Sequence, residues 1–267
     1  SADEDLPFYN TGSARNIPPR LYFSRKSVSG KWDLYWARYD AKKKQLGAPE
    51  LIGPSVQTDA DDLGAYVTRE GAFPQFLVYA TKKDRFSPTA DIYLSIRDAE
   101  DRIFGPLRPI ASIATKDDES EPWIQLIDKK TLHLYFVRKT KEGSRIFLAV
   151  GESDGKGGVA SFGVGKAVES IPVGFTHPTL FPLSKKMLLQ GPVKGGTQGI
   201  FVTYYAEGKW SVPKLVEQLN FPEARVGSVS PSLTRDGQYL YFASDKPGGK
   251  GGLDLYYVQV SELTLPK

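Results

Sequence analysis

Leu240-Tyr241-Phe242-Ala243-Ser244-Asp245, a glycine-rich turn, then Leu253-Asp254-Leu255-Tyr256-Tyr257: this stretch decides the fold. Two short aromatic and aliphatic runs joined by glycines spell a pair of antiparallel strands. The second run recurs upstream as Asp33-Leu34-Tyr35, Asp91-Ile92-Tyr93, Arg145-Ile146-Phe147 and Gly199-Ile200-Phe201. Its central positions (34, 92, 146, 200 and 255) are spaced by 58, 54, 54 and 55 residues. The first run recurs as Leu21-Tyr22-Phe23, Leu77-Val78-Tyr79, Leu134-Tyr135-Phe136 and Leu188-Leu189. A period of this length signals a repeat architecture.

Two further strands complete each unit. Ahead of the aromatic run lies a segment that ends in a turn. Ala65-Tyr66-Val67, Pro122-Trp123-Ile124, Pro178-Thr179-Leu180 and Pro231-Ser232-Leu233 are its clearest forms, and Pro7-Phe8-Tyr9 takes that place in the first unit. Asp236-Gly237 is the hairpin signal of the last unit. After the Asp-Leu-Tyr run comes an outer strand around Glu50-Leu51, Arg108-Pro109, Ala167-Val168 and Lys214-Leu215; in the last unit only Leu263-Thr264-Leu265 is available. Four short antiparallel strands repeated five times, with no helical pattern, predict an all-β propeller of five four-stranded blades. The expected blades are residues 1–58, 59–115, 116–171, 172–224 and 225–267 of one domain. Because the chain opens on an inner strand and ends on an outer one, simple end-to-end closure is expected.

The composition agrees with strands that pack ring on ring: 14 Tyr, 14 Phe and 4 Trp in 267 residues. With no cysteine, disulfides, thiolate metal sites and cysteine nucleophiles are excluded. The net charge of +4 is scattered over pairs such as Lys82-Lys83, Lys129-Lys130 and Lys185-Lys186, which fall at hairpin turns. A nucleic-acid partner would call for a concentrated basic element, so none is expected. No apolar run reaches the ~20 residues of a membrane helix, so no membrane span is expected. The start at Ser1-Ala2-Asp3 reads either as a trimmed chain or as a mature domain that has lost a signal peptide.

The last unit, from Ser230-Pro231-Ser232-Leu233-Thr234-Arg235-Asp236-Gly237 through Leu240-Tyr241-Phe242-Ala243-Ser244-Asp245 to Asp254-Leu255-Tyr256, resembles the TolB-like, WD-like bacterial propeller repeat. Units one to three follow the same pattern, while unit four replaces the Asp-Gly turn by Ser184-Lys185. The resemblance implies a non-catalytic module of the bacterial envelope, periplasmic or extracellular, that binds a protein or an envelope component as a monomer.

Candidate site residues lie just ahead of the inner strands. Three units carry acidic clusters there: Asp3-Glu4-Asp5, then Asp59, Asp61 and Asp62, then Asp117-Asp118-Glu119 and Glu121. Repeat geometry gathers them at one mouth of the channel. The binding set expected at that mouth is Asp61, Asp62, Asp118, Glu119, Trp123, His177 and Arg225. No cofactor is expected, with Ca²⁺ the one candidate; it would use Glu4, Asp62 and Glu119, since hard cations take several oxygens. Neutralising the nearby lysines and arginines is the competing use of these acids. Asp33, Asp91 and Asp254 recur with the repeat and read as acceptors for turn N–H groups. The rival from another class is a glycoside hydrolase working with a pair of mouth carboxylates, Glu4 with Glu119 or Asp62 with Glu119.

Overall fold

The computed structural model describes residues 4–10, 20–40, 43, 45–68, 75–82, 84, 86–99, 103–153, 159–182, 184–234, 236–250 and 252–266; for 4–10 and 160 only the backbone is described. The turns expected after Pro7-Phe8-Tyr9 and Ala65-Tyr66-Val67, through Pro18-Pro19 and Arg69-Glu70-Gly71, lie outside these residues.

The chain folds as a five-bladed β-propeller of antiparallel blades with almost no helix. Blade 1 consists of β1 (Glu4–Asn10), β2 (Arg20–Lys26) and β3 (Trp32–Asp40), with β4 (Gln45–Leu46) and β5 (Glu50–Leu51) both pairing with β3. Blade 2 runs β6 (Asp62–Val67), β7 (Gln75–Thr81), β8 (Asp91–Arg97) and β9 (Arg108–Pro109). In blade 3, β10 (Asp118–Leu126), β11 (Thr131–Thr140) and β12 (Gly143–Ser153) are followed by β13 (Val159–Phe162) and β14 (Lys166–Ala167), which share β12. Blade 4 repeats that plan with β15 (Thr176–Leu180), β16 (Lys186–Pro192), β17 (Gln198–Ala206), β18 (Lys209–Trp210) and β19 (Lys214–Leu215). Blade 5 has three strands among the described residues, β20 (Ser228–Leu233), β21 (Tyr239–Ser244) and β22 (Asp254–Gln259).

The fourth strand expected from Leu263-Thr264-Leu265 does not pair; Leu263 and Leu265 instead pack onto the core between blades 4 and 5. Two anchors hold that tail, the Gln218 amide donating to Glu262 O and the Thr264 N–H donating to Gln218 Oε1. Closure is end to end, since each blade's described strands are consecutive in the chain.

The second strand of a blade lies between two neighbouring blades, so it is buried on both faces. β7 (QFLVYAT) is buried at all seven positions. Such a strand reads as a continuous apolar run rather than as an alternation. The core lies between blades: Phe76, Val78 and Ile92 meet Ile124, Leu134 and Phe136 between blades 2 and 3. Tyr135, Val137 and Ile146 meet Leu180, Met187 and Leu189 between blades 3 and 4.

Every inner strand carries a bulge at the same place. The register slips between Asp5 and Phe8, Leu63 and Tyr66, Ser120 and Trp123, Thr176 and Thr179, and Val229 and Ser232. A bulge re-aims the side chain it carries. In four blades its first residue has positive φ: Gly64 (69°), Glu121 (54°), His177 (51°) and Ser230 (53°). Glycine adopts this conformation freely, whereas each of the other three is strained by about 1–2 kcal/mol. These bulges build the site.

Candidate functional site

The bulged residues of blades 2 to 5 converge on a small pocket at the propeller axis. Its lining includes Tyr66, Glu121, Trp123, His177, Ser230 and Ser232. Glu121 and His177 are half-buried, with side chains 18% and 15% exposed. The His177 backbone N–H donates to Glu121 Oε2 at 2.6 Å, and His177 Nδ1 lies 3.2 Å from the same oxygen. Thr176 Oγ1 also sits 3.0 Å from Nδ1. On the far side of the ring, Nε2 lies 3.3 Å from Ser230 Oγ. Burial pushes the imidazole down to about 3, so His177 is neutral at ordinary pH. Trp123 packs against Tyr66 with ring centroids 4.6 Å apart and forms an aromatic wall beside the carboxylate.

Of the seven binding residues expected from the sequence, the structure brings Trp123 and His177 together in this pocket. The acidic four are engaged in the scaffold instead, two across a blade junction and two locally. Asp61 Oδ1 accepts the Trp32 N–H at 2.9 Å, and Asp118 Oδ1 accepts the Ala90 N–H at 2.9 Å, each tying its loop to the preceding blade. Asp62 is buried and accepts from Thr58 N–H at 2.9 Å and Thr58 Oγ1 at 2.8 Å. Burial raises its carboxyl above the usual range, partly offset by those bonds from Thr58. Glu119 is fully buried; it accepts from Thr115 Oγ1 at 2.6 Å and pairs with Arg138 Nε at 2.6 Å. Arg225 is exposed, and its backbone N–H donates to Asp245.

The cation set expected from Glu4, Asp62 and Glu119 is therefore not assembled: the latter two are turned to Thr58 and Arg138, and the Glu4 side chain lies outside the described residues. Among the described residues no three His, Asp or Glu side chains gather as metal ligands. The carboxylate pair Asp62 and Glu119 does not line the axial pocket either. Of the repeated aspartates, Asp254 does accept a turn N–H, from Lys250 at 2.6 Å, while Asp33 pairs with Lys31. Asp91 departs most. It has one buried oxygen without a hydrogen-bond partner, and its carboxyl is pushed up to about 6 by burial and by neighbouring Glu119.

The binding set expected from the sequence omitted Glu121, which it counted only among the acids ahead of Pro122, and also Ser230 and Ser232. The signal was present, because Glu121-Pro122, His177-Pro178 and Ser230-Pro231 occupy the same place in consecutive repeats. Aligning the residue one before the proline, not three before, picks out the ring of bulges.

The sequence matches no protein-family model and no curated protein. Solved structures do match the fold. A GH43_1 enzyme from Xanthomonas citri complexed with xylotriose is 14% identical with a TM-score of 0.65, covering 97% of this chain and 87% of that one. The GH43 endo-arabinanase from Bacillus licheniformis is 12% identical with a TM-score of 0.65, covering 97% and 95%. The catalytic domain of a GH62 α-L-arabinofuranosidase from Coprinopsis cinerea is 10% identical with a TM-score of 0.64, covering 98% and 92%. These neighbours are glycoside hydrolase propellers, and they overturn the TolB-like assignment made from the repeat. The expectation of a non-catalytic, protein-binding module falls with it. That expectation came with the repeat resemblance, and the acids assigned to its binding mouth are hydrogen-bonded or ion-paired within the scaffold. No helix among the described residues is long and apolar enough to cross a membrane. The chain is a five-bladed β-propeller similar in fold to glycoside hydrolases of families 43 and 62.

Proposed function

We propose that the chain is a carbohydrate-active hydrolase that seats a saccharide across its axial pocket and works through Glu121. The observation that carries this reading is the placement of Glu121: a half-buried carboxylate on a strained bulge, at the axis, beside an aromatic wall and a neutral imidazole. Strained non-glycine backbone concentrates at functional sites. The fold kinship with enzymes whose names specify arabinan, arabinofuranoside or bound xylotriose supplies the substrate class. Sugars stack their C–H faces on aromatic rings, and Trp123 with Tyr66 offers such a wall.

Glycosidases pair two carboxylates across the scissile bond. Among the described lining residues Glu121 is the one carboxylate, so the proton traffic here runs between Glu121 and His177. Positioned acid–base groups contribute roughly 10²–10⁴-fold to rate. Product release from a panel of arabinans, xylans and aryl glycosides, read by chromatography, tests the proposal. E121Q keeps the volume and an acceptor for His177 N–H, so it should fold normally and lose at least ~100-fold in turnover. Undiminished turnover in E121Q, or neither turnover nor binding across the panel, overturns the reading.

A further inference from the structure

The depression at the axis encloses about 50 Å³, against the ~300–1,000 Å³ of pockets that engulf a whole small ligand. A sugar ring must therefore lie over it, and only a small substituent can enter. What waits inside is not an arrangement for sugar chemistry alone. Ser230 Oγ lies 3.3 Å from His177 Nε2, and His177 Nδ1 lies 3.2 Å from Glu121 Oε2. That is a hydroxyl, an imidazole and a carboxylate in series, recognisable by geometry and role on any fold. All three occupy the same bulge position on blades 5, 4 and 3 and share the strained backbone.

We propose that Ser230, His177 and Glu121 form a nucleophile, base and orienting acid that cleave a small acyl ester carried by the saccharide. The substrate class is an O-acetylated saccharide. The inference rests on the preceding one for the saccharide, and on its own geometry for the ester. Several observations fit a nucleophile held in place. The Ser230 N–H donates to Gln190 Oε1 at 3.0 Å, which anchors its backbone. Ser230 lines the depression and is only 2% exposed, so bulky groups are kept from its Oγ. Pro122, Pro178 and Pro231 line the same depression and present apolar surface to an acyl methyl. Ser232, also lining it, has a buried Oγ with no hydrogen-bond partner. A buried hydroxyl left unsatisfied is costly, and here it is a donor for a developing oxyanion.

The step balances without a further reagent except water. Ser230 Oγ bonds to the acyl carbon as its proton passes to His177 Nε2, and the carbonyl oxygen takes the negative charge beside Ser232 Oγ. As the tetrahedral centre collapses, the bond from acyl carbon to sugar oxygen breaks and Nε2 returns the proton to that oxygen. Water then attacks the acyl–serine, giving a proton to Nε2. Acetate leaves, and Ser230 Oγ recovers its proton. Glu121 holds Nδ1–H throughout and stabilises the imidazolium as it forms.

The test uses the intact chain with acetylated xylo- and arabino-oligosaccharides and with 4-nitrophenyl acetate. Acetate release is expected, with loss of about 10³-fold or more in S230A and H177N. A fluorophosphonate probe should add its mass to the peptide containing Ser230 in the wild-type protein, a readout independent of how any variant folds. S230A should lose acetate release and fluorophosphonate labelling together, whereas E121Q loses both acetate release and glycosidic turnover. Saccharide turnover without acetate release or Ser230 labelling overturns this proposal and leaves the preceding one standing. Acetate release unchanged in S230A overturns it as well.

Discussion

His177 and Asp91 carry opposite pH signatures, and single variants separate them. Burial lowers His177 to about 3, against 6.5 in an unfolded chain. Between these values the unfolded state binds the extra proton, so the contribution of His177 is intact above pH 6.5 and is lost as pH falls toward 3. At pH 4.5 the linkage amounts to ~2.7 kcal/mol, with Glu121 opposing the loss by favouring the imidazolium. Asp91 runs the other way. Its carboxyl is raised to about 6 by burial and by Glu119, so its contribution is full below pH 3.8 and lost as pH rises through 6. Thermal midpoints measured from pH 4 to pH 8 should therefore flatten on the acid side in H177Q and rise above wild type on the alkaline side in D91N. Parallel curves for wild type and H177Q below pH 6 would show that the imidazole is already charged in the native protein.

Within a blade, ion pairs act as staples, and their worth depends on burial. Glu119 has no solvent exposure, and its partner Arg138 is 12% exposed. Removing one member of such a pair strands the other, at a cost of roughly 3–5 kcal/mol. The Arg145–Glu169 pair spans 2.8 Å, yet Glu169 is 75% exposed, and pairs of that kind contribute ~0–1 kcal/mol. Urea midpoints should thus fall steeply in E119A and hardly move in E169A, with activity per folded molecule unchanged in both. An equal response would mean that Arg138 finds another partner. The same contrast explains what sequence could show. Strands were legible because Leu134-Tyr135-Phe136 and its copies repeat a burial pattern, and the outer strands fell where Glu50-Leu51 and Lys214-Leu215 suggested. Acid function was not legible, because Asp62 and Glu119 look alike whether they face solvent or Thr58 and Arg138. Glu121 stood among the acids but was not singled out for a different reason: a bulge turns one residue out of the strand's alternation, and spacing alone does not show which one.

At the scale of the whole ring, end-to-end closure has a mechanical consequence. The described strands of blade 1 all come from the N-terminal part and those of blade 5 from the C-terminal part, with no strand hydrogen-bonded across the junction. Side-chain packing holds that seam, through Leu21, Phe23 and Ala37 against Tyr241 and Leu255 among the described residues. Packing without a shared ladder opens more readily than a strand embedded in a blade. Amides of β21, β22, β2 and β3 should accordingly exchange before those of β11 and β12 in native-state hydrogen exchange. The axial pocket draws on blades 2 to 5 and ties Ser230 of blade 5 to His177 of blade 4. A saccharide seated there binds the closed ring in preference to the opened one. At a hundredfold excess over Kd it should add ~2.7 kcal/mol to the opening free energy. That gain should appear as slower exchange in blade 5 and leave the local fraying of hairpin turns untouched. Protection confined to Trp123 and its neighbours, with β21 and β22 exchanging as before, would show that the seam opens without disturbing the pocket.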